Sequence, residues 1–170
     1  MHRIWTENLR YRWSRRRHAR SPVTTTVRRD LIPKRFSDIQ RVADELRSRF
    51  IYTRDGIDRL WDSIDTPASC WERAFPGPLR DDCDGFHAAL YWAVSHNFRC
   101  YLLTLVTRQI VDSHVLLYIR HGGHFYLDYT YLSDRFMTFD SMVEHIGRRR
   151  EMDIVSTELS VFTNGWRKGG

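Results

Sequence analysis

Residues 82–96 read DCDGFHAALYWAVSH, and this stretch decides the fold. Apolar residues recur within it at helical spacing: Phe86, Leu90 and Ala93. Such spacing predicts a helix with one buried face. Asp82 is a suitable N-cap and Asn97 a suitable stop, so the helix should run from Asp82 to about residue 96. Cys83 then lies in the first turn of a packed helix.

The position of Cys83 makes its thiol a candidate nucleophile. A thiol in the first helical turn lies near the positive end of the helix dipole and near backbone N–H groups. Both favour the thiolate, which is the nucleophilic form, and the N–H groups can also stabilise an oxyanion. Three acidic neighbours oppose the thiolate: Asp81, Asp82 and Asp84. A cationic partner is therefore needed.

A histidine and a carboxylate follow on predicted strands. Strand-like runs cover residues 100–106, 113–119 and 124–129. Gly122-Gly123 between the last two predicts a hairpin turn. That hairpin would bring His114 and Asp128 onto neighbouring strands. A carboxylate that orients a histidine facing a thiol is the general arrangement of a catalytic triad.

The remaining segments complete an α+β pattern. A helix should start at Ser37, which forms a capping box with Gln40. A proline-containing loop with Trp71 follows and leads to the Cys83 helix. After the strands, Ser141 and Glu144 suggest a second capping box for a helix over 141–149, and a last strand fits 153–163. Helices followed by antiparallel strands indicate an α+β fold.

The charge is divided between two parts of the chain. Residues 1–36 hold eleven Lys or Arg and two acidic residues, whereas residues 37–170 hold sixteen and nineteen. We therefore divide the chain into a basic, Arg-rich arm over 1–36 and a domain over 37–170. The arm is suited to an anionic partner, either nucleic acid or an acidic surface, and a solvated arm without a partner is the alternative.

Cysteine usage and hydropathy bear on location. The three cysteines form no CxxC pair, which argues against a disulfide framework and a structural zinc site. A reducing compartment with one special thiol fits better. No apolar segment follows the basic N-terminus, and no run approaches the roughly 18 apolar residues of a membrane span. We expect a cytoplasmic protein without a secretory signal or a transmembrane segment.

Several motifs resemble one family. Residues 82–88 (DCDGFHA) resemble the cysteine signature of transglutaminase-like domains, and residues 114–116 (HVL) resemble their histidine strand. Residues 126–130 (YLDYT) resemble their aspartate motif, and Trp71 precedes the cysteine as a Trp does in bacterial transglutaminase-like cysteine proteinases. The resemblance covers roughly residues 37–135.

This resemblance implies a papain-like core in which the cysteine-bearing helix packs on a small antiparallel sheet. It implies Cys83 as nucleophile, His114 as general base and acid, and Asp128 as the orienting residue. It also implies that the indole N–H of Trp71 lies near the oxyanion. The expected activity is hydrolysis of peptide or isopeptide bonds through a thioester, in a bacterial or phage protein with a protein or peptide substrate.

Three alternatives stay open. Asp-Cys-x-Gly-Phe and the run 114–119 also resemble NlpC-type cell-wall peptidases, since Gly85 stands where the bacterial proteinases usually carry Asp. However, the strand that those peptidases carry between Cys and His is absent here. Transamidation or deamidation is the second alternative. The third is a catalytically idle binding module that works through the basic arm.

Other candidate residues are weighed against ordinary structural roles. Asp81, Asp82 and Asp84 suit calcium, as in some bacterial relatives, but helix capping is the preferred reading and no other cofactor is expected. His87, four residues after Cys83, is the substitute base if His114 fails. Gln109 is a candidate oxyanion donor. A metal at His121 and His124, beside the Gly-Gly turn, is disfavoured.

Overall fold

The computed structural model describes residues 28–53, 66–75, 77–108, 112–162 and 166–168. Within them lie four α-helices: α1 (Asp38–Ser48), α2 (Pro67–Arg73), α3 (Cys83–Val94) and α4 (Phe139–Arg150). A short 3-10 helix, Arg29–Leu31, precedes α1. The same residues contain eight strands: β1 (Phe50–Tyr52), β2 (Leu79–Asp81), β3 (Arg99–Thr107), β4 (His114–Arg120), β5 (His124–Asp128), β6 (Tyr131–Leu132), β7 (Ile154–Phe162) and β8 (Trp166–Lys168).

The strands form two sheets. Six of them make an antiparallel sheet in the order β6-β5-β4-β3-β7-β8, while β1 and β2 pair in parallel beside it. The β4–β5 hairpin turns through Gly122, whose φ of 62° is a left-handed conformation that glycine adopts without a steric penalty. The predicted hairpin and the mixed, antiparallel α/β class are therefore confirmed.

Alternating side chains bury both faces of the large sheet. One face packs on α3 through Leu102, Val115, Leu117, Ile119 and Leu127. The other face packs on α4 through Leu103, Leu105, Leu116, Tyr118 and Tyr126. Burial of one such leucine stabilises the fold by roughly 1.5–3 kcal/mol. The sheet thus lies between two helical layers, with α1 packed behind α3.

Both predicted capping boxes are wrong, although their helices exist. Ser37 is the N-cap of α1 but makes no side-chain capping bond. Gln40 instead donates to the carbonyl of Thr130 at 2.6 Å, which ties α1 to the turn between β5 and β6. The α4 helix begins two residues earlier than expected, at Phe139, and its N-cap is Thr138 in place of Ser141.

The segment before α3 is more ordered than a loop. It contains β1, α2 and β2, which the sequence pattern did not indicate. Pro67 is in the first turn of α2, where its missing N–H costs no hydrogen bond. Strand β2, which pairs in parallel with β1, ends at Asp81, two residues before Cys83.

The end of the predicted basic arm packs on the domain. Leu31 is buried, and the ring of Phe36 stacks on His121 with ring centroids 4.9 Å apart. Residues 1–27, which hold most of the arm's charge, lie outside the described residues. Among the helices in the described ranges, none is long and apolar enough to cross a membrane.

Candidate active site

Cys83 is the first residue of α3. The preceding residue, Asp82, is the N-cap, and its carboxylate accepts the N–H of Asp84 at 3.0 Å. The expected cap is thus confirmed at Asp82. The side chain of Cys83 is half-buried, whereas Cys70 and Cys100 are buried. Because burial raises the pKa of the Cys100 thiol far above its usual range, Cys83 is the best placed of the three to react.

His114 and Asp128 meet at one end of the sheet. Leu117 pairs with Leu127 across β4 and β5, so the continued register sets Asp128 two residues from His114 on the same face. His114 Nε2 lies 3.0 Å from Asp128 Oδ1, and both side chains are buried. The carboxylate occupies Nε2, which leaves Nδ1 as the nitrogen that can exchange a proton with a thiol.

Two arginines at the end of α4, which packs on the other face of the sheet from α3, also bind Asp128. Arg150 donates from Nε to Oδ2 and from Nη2 to Oδ1, both at 2.6 Å, and Arg149 Nη1 lies 3.5 Å from Oδ2. Burial alone would raise the pKa of Asp128, but the hydrogen bond and charge of His114, followed by the nearby His87 and the hydrogen bonds from Arg150, outweigh burial and lower this pKa well below its usual range. Asp128 is therefore a carboxylate throughout the physiological pH range.

His87 is not a second base. Its Nδ1 lies 2.6 Å from the carbonyl oxygen of Cys83, and its Nε2 accepts the N–H of Tyr129 at 2.9 Å. The ring is fully buried, and burial together with the nearby His114 lowers its pKa to about 3. Both nitrogens are occupied at neutral pH, so the predicted reserve role for His87 is wrong and its role is positional.

Tyr129 links these groups. It follows Asp128 directly and adopts a left-handed φ of 53°, which is costly for a residue with a side chain. Its ring packs against those of His87 and His114, with centroids 5.1 and 6.1 Å away. Burial, and next the adjacent Cys83, raise the pKa of its hydroxyl far above the usual range. Tyr129 therefore contributes a neutral ring to the site.

Cys83 and His114 line one cavity of about 750 Å³. Its wall is formed by residues from five parts of the fold: Tyr52 at the end of β1, Cys83 on α3, Tyr129 after β5, residues 150–153 at the end of α4 and just after it, and the β3–β4 connection with Thr107, Arg108, Asp112, Ser113 and His114. The Cys83 thiol, the His114 ring and Arg150, which binds the same carboxylate as His114, thus line the same space.

Trp71 does not belong to this cavity wall. It is fully buried and packs against Phe75 and Trp92, with ring centroids 4.7 and 5.1 Å away. The described residues that form the cavity wall do not include it. Its indole is therefore placed as a core group, and the oxyanion role expected from the resemblance has no geometric support. The other candidate donor, Gln109, lies outside the described residues.

Two of the three acidic residues around Cys83 have bonds within the protein. Ligand oxygens of Asp81, Asp82 and Asp84 lie within 4.8 Å of one another. However, Asp81 accepts from Arg73 at 2.9 Å and from the N–H of Asp82 at 3.0 Å, while Asp82 caps α3. Burial raises the pKa of Asp81 despite these partners. These bonds give Asp81 and Asp82 structural roles, as the preferred capping interpretation expects for Asp82.

The histidines beside the Gly-Gly turn also have protein partners. His124 Nδ1 lies 2.8 Å from the hydroxyl of Tyr118, and His121 stacks on Phe36. Each of these two histidines thus contacts an aromatic residue of the domain.

Arg150 is the functional candidate that the sequence pattern missed. Three consecutive arginines at the end of a helix suggest a solvated, dipole-stabilising terminus. Yet Arg150 follows Met142 and Ile146 at intervals of four, and both are buried. Arg150 thus continues the buried stripe of the helix. This spacing could have indicated from the sequence that its side chain points toward the sheet and not into solvent.

The fold and these side chains define a mixed α/β protein with a half-buried thiol and a carboxylate-bound histidine on one cavity. Comparison with protein-family models, curated proteins and solved structures finds no match to this chain. Its function is therefore inferred from the geometry of Cys83, His114 and Asp128 together with the sequence motifs.

Proposed function

We propose that this protein is a cysteine-dependent acyl-transfer enzyme with a papain-like core that cleaves peptide or isopeptide bonds. Cys83 is the nucleophile, His114 the general base and acid, and Asp128 the orienting carboxylate. One observation carries the proposal: Cys83 and His114 line the same cavity while Asp128 holds the far nitrogen of His114 at 3.0 Å. The transglutaminase-like motifs assign the same three roles.

The reaction follows from these positions. His114 Nδ1 takes the proton of the Cys83 thiol, and the helix N-terminus favours the resulting thiolate. The thiolate attacks the amide carbonyl, and the imidazolium returns the proton to the leaving amine. This leaves a thioester on Cys83. Water then releases the acid in hydrolysis or deamidation, whereas a second amine gives transamidation.

The fold supports the proposal in general outline. A helix that begins with the cysteine packs on an antiparallel sheet whose second strand begins with the histidine. This is the layout that a papain-like core requires. The Arg73–Asp81 ion pair and the Asp82 cap hold the start of that helix, so the thiol is placed by rigid elements.

The deciding experiment is the pH dependence of iodoacetamide alkylation at each cysteine, read by peptide mass spectrometry. An ordinary thiol has a pKa of about 8.5 and reacts slowly near pH 6. Cys83 should be alkylated at pH 6 at least about tenfold faster than an ordinary thiol, and His114→Ala should remove this excess.

Cys70 and Cys100 act as internal controls, because both are buried in the same molecule. His96→Ala is the matched control for His114→Ala, since His96 lies just beyond the C-terminal end of α3, far along the helix from Cys83. If Cys83 reacts no faster than a model thiol, or if His96→Ala has the same effect as His114→Ala, the proposed triad is wrong. The basic arm and its partners would then be examined.

A further inference from the structure

The contacts around Asp128 assign a fourth residue to the proposed site. We infer that Arg150 is a positioning residue: it fixes the Asp128 carboxylate against His114 and offsets part of its charge. This rests on the proposed function for its catalytic meaning, but the contacts stand without it. A planar guanidinium that meets both oxygens of a carboxylate fixes the plane of that carboxylate, which a single contact cannot do.

Burial makes the pairing important. The side chain of Asp128 is 1% exposed and that of Arg150 is 31% exposed. A carboxylate this deeply buried requires compensation by close positive charge and hydrogen bonds. Arg149 is a weaker partner, since it contacts Asp128 at 3.5 Å while its guanidinium lies over the ring of Tyr131, 3.7 Å from the centroid. Of the two arginines, Arg150 therefore provides the larger compensation.

His114 and Arg150 bind the same carboxylate oxygen of Asp128. Its Oδ1 accepts both from His114 Nε2 and from Arg150 Nη2. The guanidinium withdraws negative charge from the atom that faces the imidazole. Removal of this guanidinium would therefore leave a full negative charge opposite the imidazole, and a closer negative charge favours a protonated ring.

The end of α4 explains how the arginine reaches this place. Arg150 is the last residue of α4, and the next residue, Glu151, adopts a left-handed φ of 54° that ends the helix. The buried stripe of Met142 and Ile146 directs the helix onto the sheet face that carries Asp128. Arg150 also lines the cavity that holds Cys83.

The charged and titratable groups that face His114 and Asp128 come from every packed element. They are Cys83 and His87 from α3, Tyr129 after β5, Arg149 and Arg150 from α4, and, on the cavity wall, Tyr52, Arg108, Asp112, Glu151 and Asp153. Arg108 and Asp153 pair with each other at 2.9 Å. Among the positive charges, only Arg150 contacts both Asp128 oxygens in the described residues.

The test is NMR titration of the His114 imidazole in wild type, Arg150→Met and Arg150→Lys, with signals assigned from His114→Gln. In Arg150→Met the His114 signals should titrate about one pH unit higher than in wild type, as expected for loss of one positive charge a few ångströms away. An unchanged or lower midpoint would overturn the inference. Arg148→Met is the matched control, because Arg148 is on the same helix but pairs with exposed Glu144.

Arg150→Lys separates position from charge and serves if the Met variant does not fold. Lysine keeps the charge but cannot bind both oxygens, so the midpoint should stay near the wild-type value. The Nε2 proton of His114 should then exchange with solvent at least about tenfold faster, because the carboxylate is less firmly held. An Nε2 proton as protected as in wild type would refute the positioning role.

These readouts do not depend on a reactive Cys83. If wild-type Cys83 alkylates slowly, the proposed function fails while the His114 titration still tests Arg150. Suppose instead that Cys83 is reactive, that Arg150→Met leaves the His114 titration midpoint unchanged, and that Arg150→Lys leaves the exchange rate of the Nε2 proton unchanged. The triad then stands and the positioning role fails.

Discussion

His87 binds the main-chain oxygen of Cys83 through Nδ1 at 2.6 Å, one helical turn after the candidate nucleophile. Because a carbonyl only accepts, His87 must carry its proton on Nδ1, and Nε2 is then free to accept the N–H of Tyr129 at 2.9 Å. A single neutral ring thus ties the start of α3 to the residue after Asp128. His87 is therefore a structural link between the proposed nucleophile, Cys83, and the end of β5, which carries Asp128.

His87→Phe should therefore destabilise the protein. Phenylalanine keeps a ring but leaves the buried N–H of Tyr129 without its acceptor, which costs about 1–3 kcal/mol. The free energy of unfolding from urea titration measures this loss. His96→Phe is the matched control: His96 Nδ1 makes the same 2.6 Å contact with the carbonyl of Trp92, but at an exposed position. The control should change stability by less than about 0.5 kcal/mol, and equal losses would contradict the assigned link.

The same residue predicts a pH dependence of stability. His87 has a pKa of about 3 in the folded protein and an ordinary value of 6.5. A lowered pKa means that the unfolded chain binds the proton more readily. The stabilisation is thus complete above about pH 6.5 and decreases, by up to about 1.4 kcal/mol per pH unit, as the pH falls toward 3.

The measurement is the difference in unfolding free energy between wild type and His87→Phe at pH 4.5, 5.5 and 6.5. Groups common to both proteins cancel in this difference. Asp128 does not contribute to a change between pH 4.5 and 6.5. Its pKa is lowered in the folded protein, so the stability that it provides is lost only as the pH falls below its ordinary pKa of 3.8. The difference should shrink as the pH falls. A constant difference would show that His87 titrates normally in the folded state.

Gly85 is required by packing next to the site. A Cβ at this position would overlap the carboxyl carbon of Asp81. Gly85→Ala should therefore displace Asp81 and break its bonds to Arg73 and to the N–H of Asp82. We expect a loss of about 1–3 kcal/mol, against the gain of about 1 kcal/mol that alanine normally gives in a helix.

A double variant tests this cause. If Asp81 is the obstacle, Gly85→Ala should cost less in an Asp81→Ala background than in the wild-type background, as measured by thermal or urea unfolding. Gly85→Ala that stabilises the wild-type protein would contradict the overlap. Because packing demands this glycine, its match to the NlpC-type pattern carries no separate information about the reaction.

The sequence predicted the parts of the site that depend on local pattern. Apolar alternation and the Gly-Gly turn located β4 and β5, and the hairpin register then brought His114 to Asp128. Helical spacing located Cys83 near a helix start. These elements are defined by periods of two and of about 3.6 residues, which a single sequence records directly.

The parts that it missed depend on tertiary packing. Arg150 lies 22 positions from Asp128, and only the placement of α4 across the sheet makes them partners. Trp71 lies in α2, whose seven residues are too few for a periodic signal, and its indole turns into the core. His87 was correctly placed one turn from Cys83, but burial of its ring reversed its expected role.

The start of α4 gives a direct comparison of sequence pattern with structure. The pattern makes Ser141 the N-cap, whereas in the structure Thr138 Oγ1 accepts the N–H of Ser141 at 3.1 Å. Thr138→Ala should thus lower the free energy of unfolding by about 1 kcal/mol, within the usual range of about 0.5–2. Ser141→Ala should change it by less than about 0.5 kcal/mol, because Ser141 is inside the helix and its hydroxyl bonds are exposed.

Thr138→Ser is the conservative control, since serine keeps the capping oxygen and should retain most of the stability. Urea unfolding of the three variants, followed by far-UV circular dichroism, measures the differences. A larger loss for Ser141→Ala than for Thr138→Ala would mean that the helix begins at Ser141. The same variants also show whether the two ends of α4 act independently. Thr138 lies at the opposite end of the helix from Arg150. As long as the helix stays folded, the alkylation rate of Cys83 in Thr138→Ala should therefore remain within about twofold of the wild-type rate.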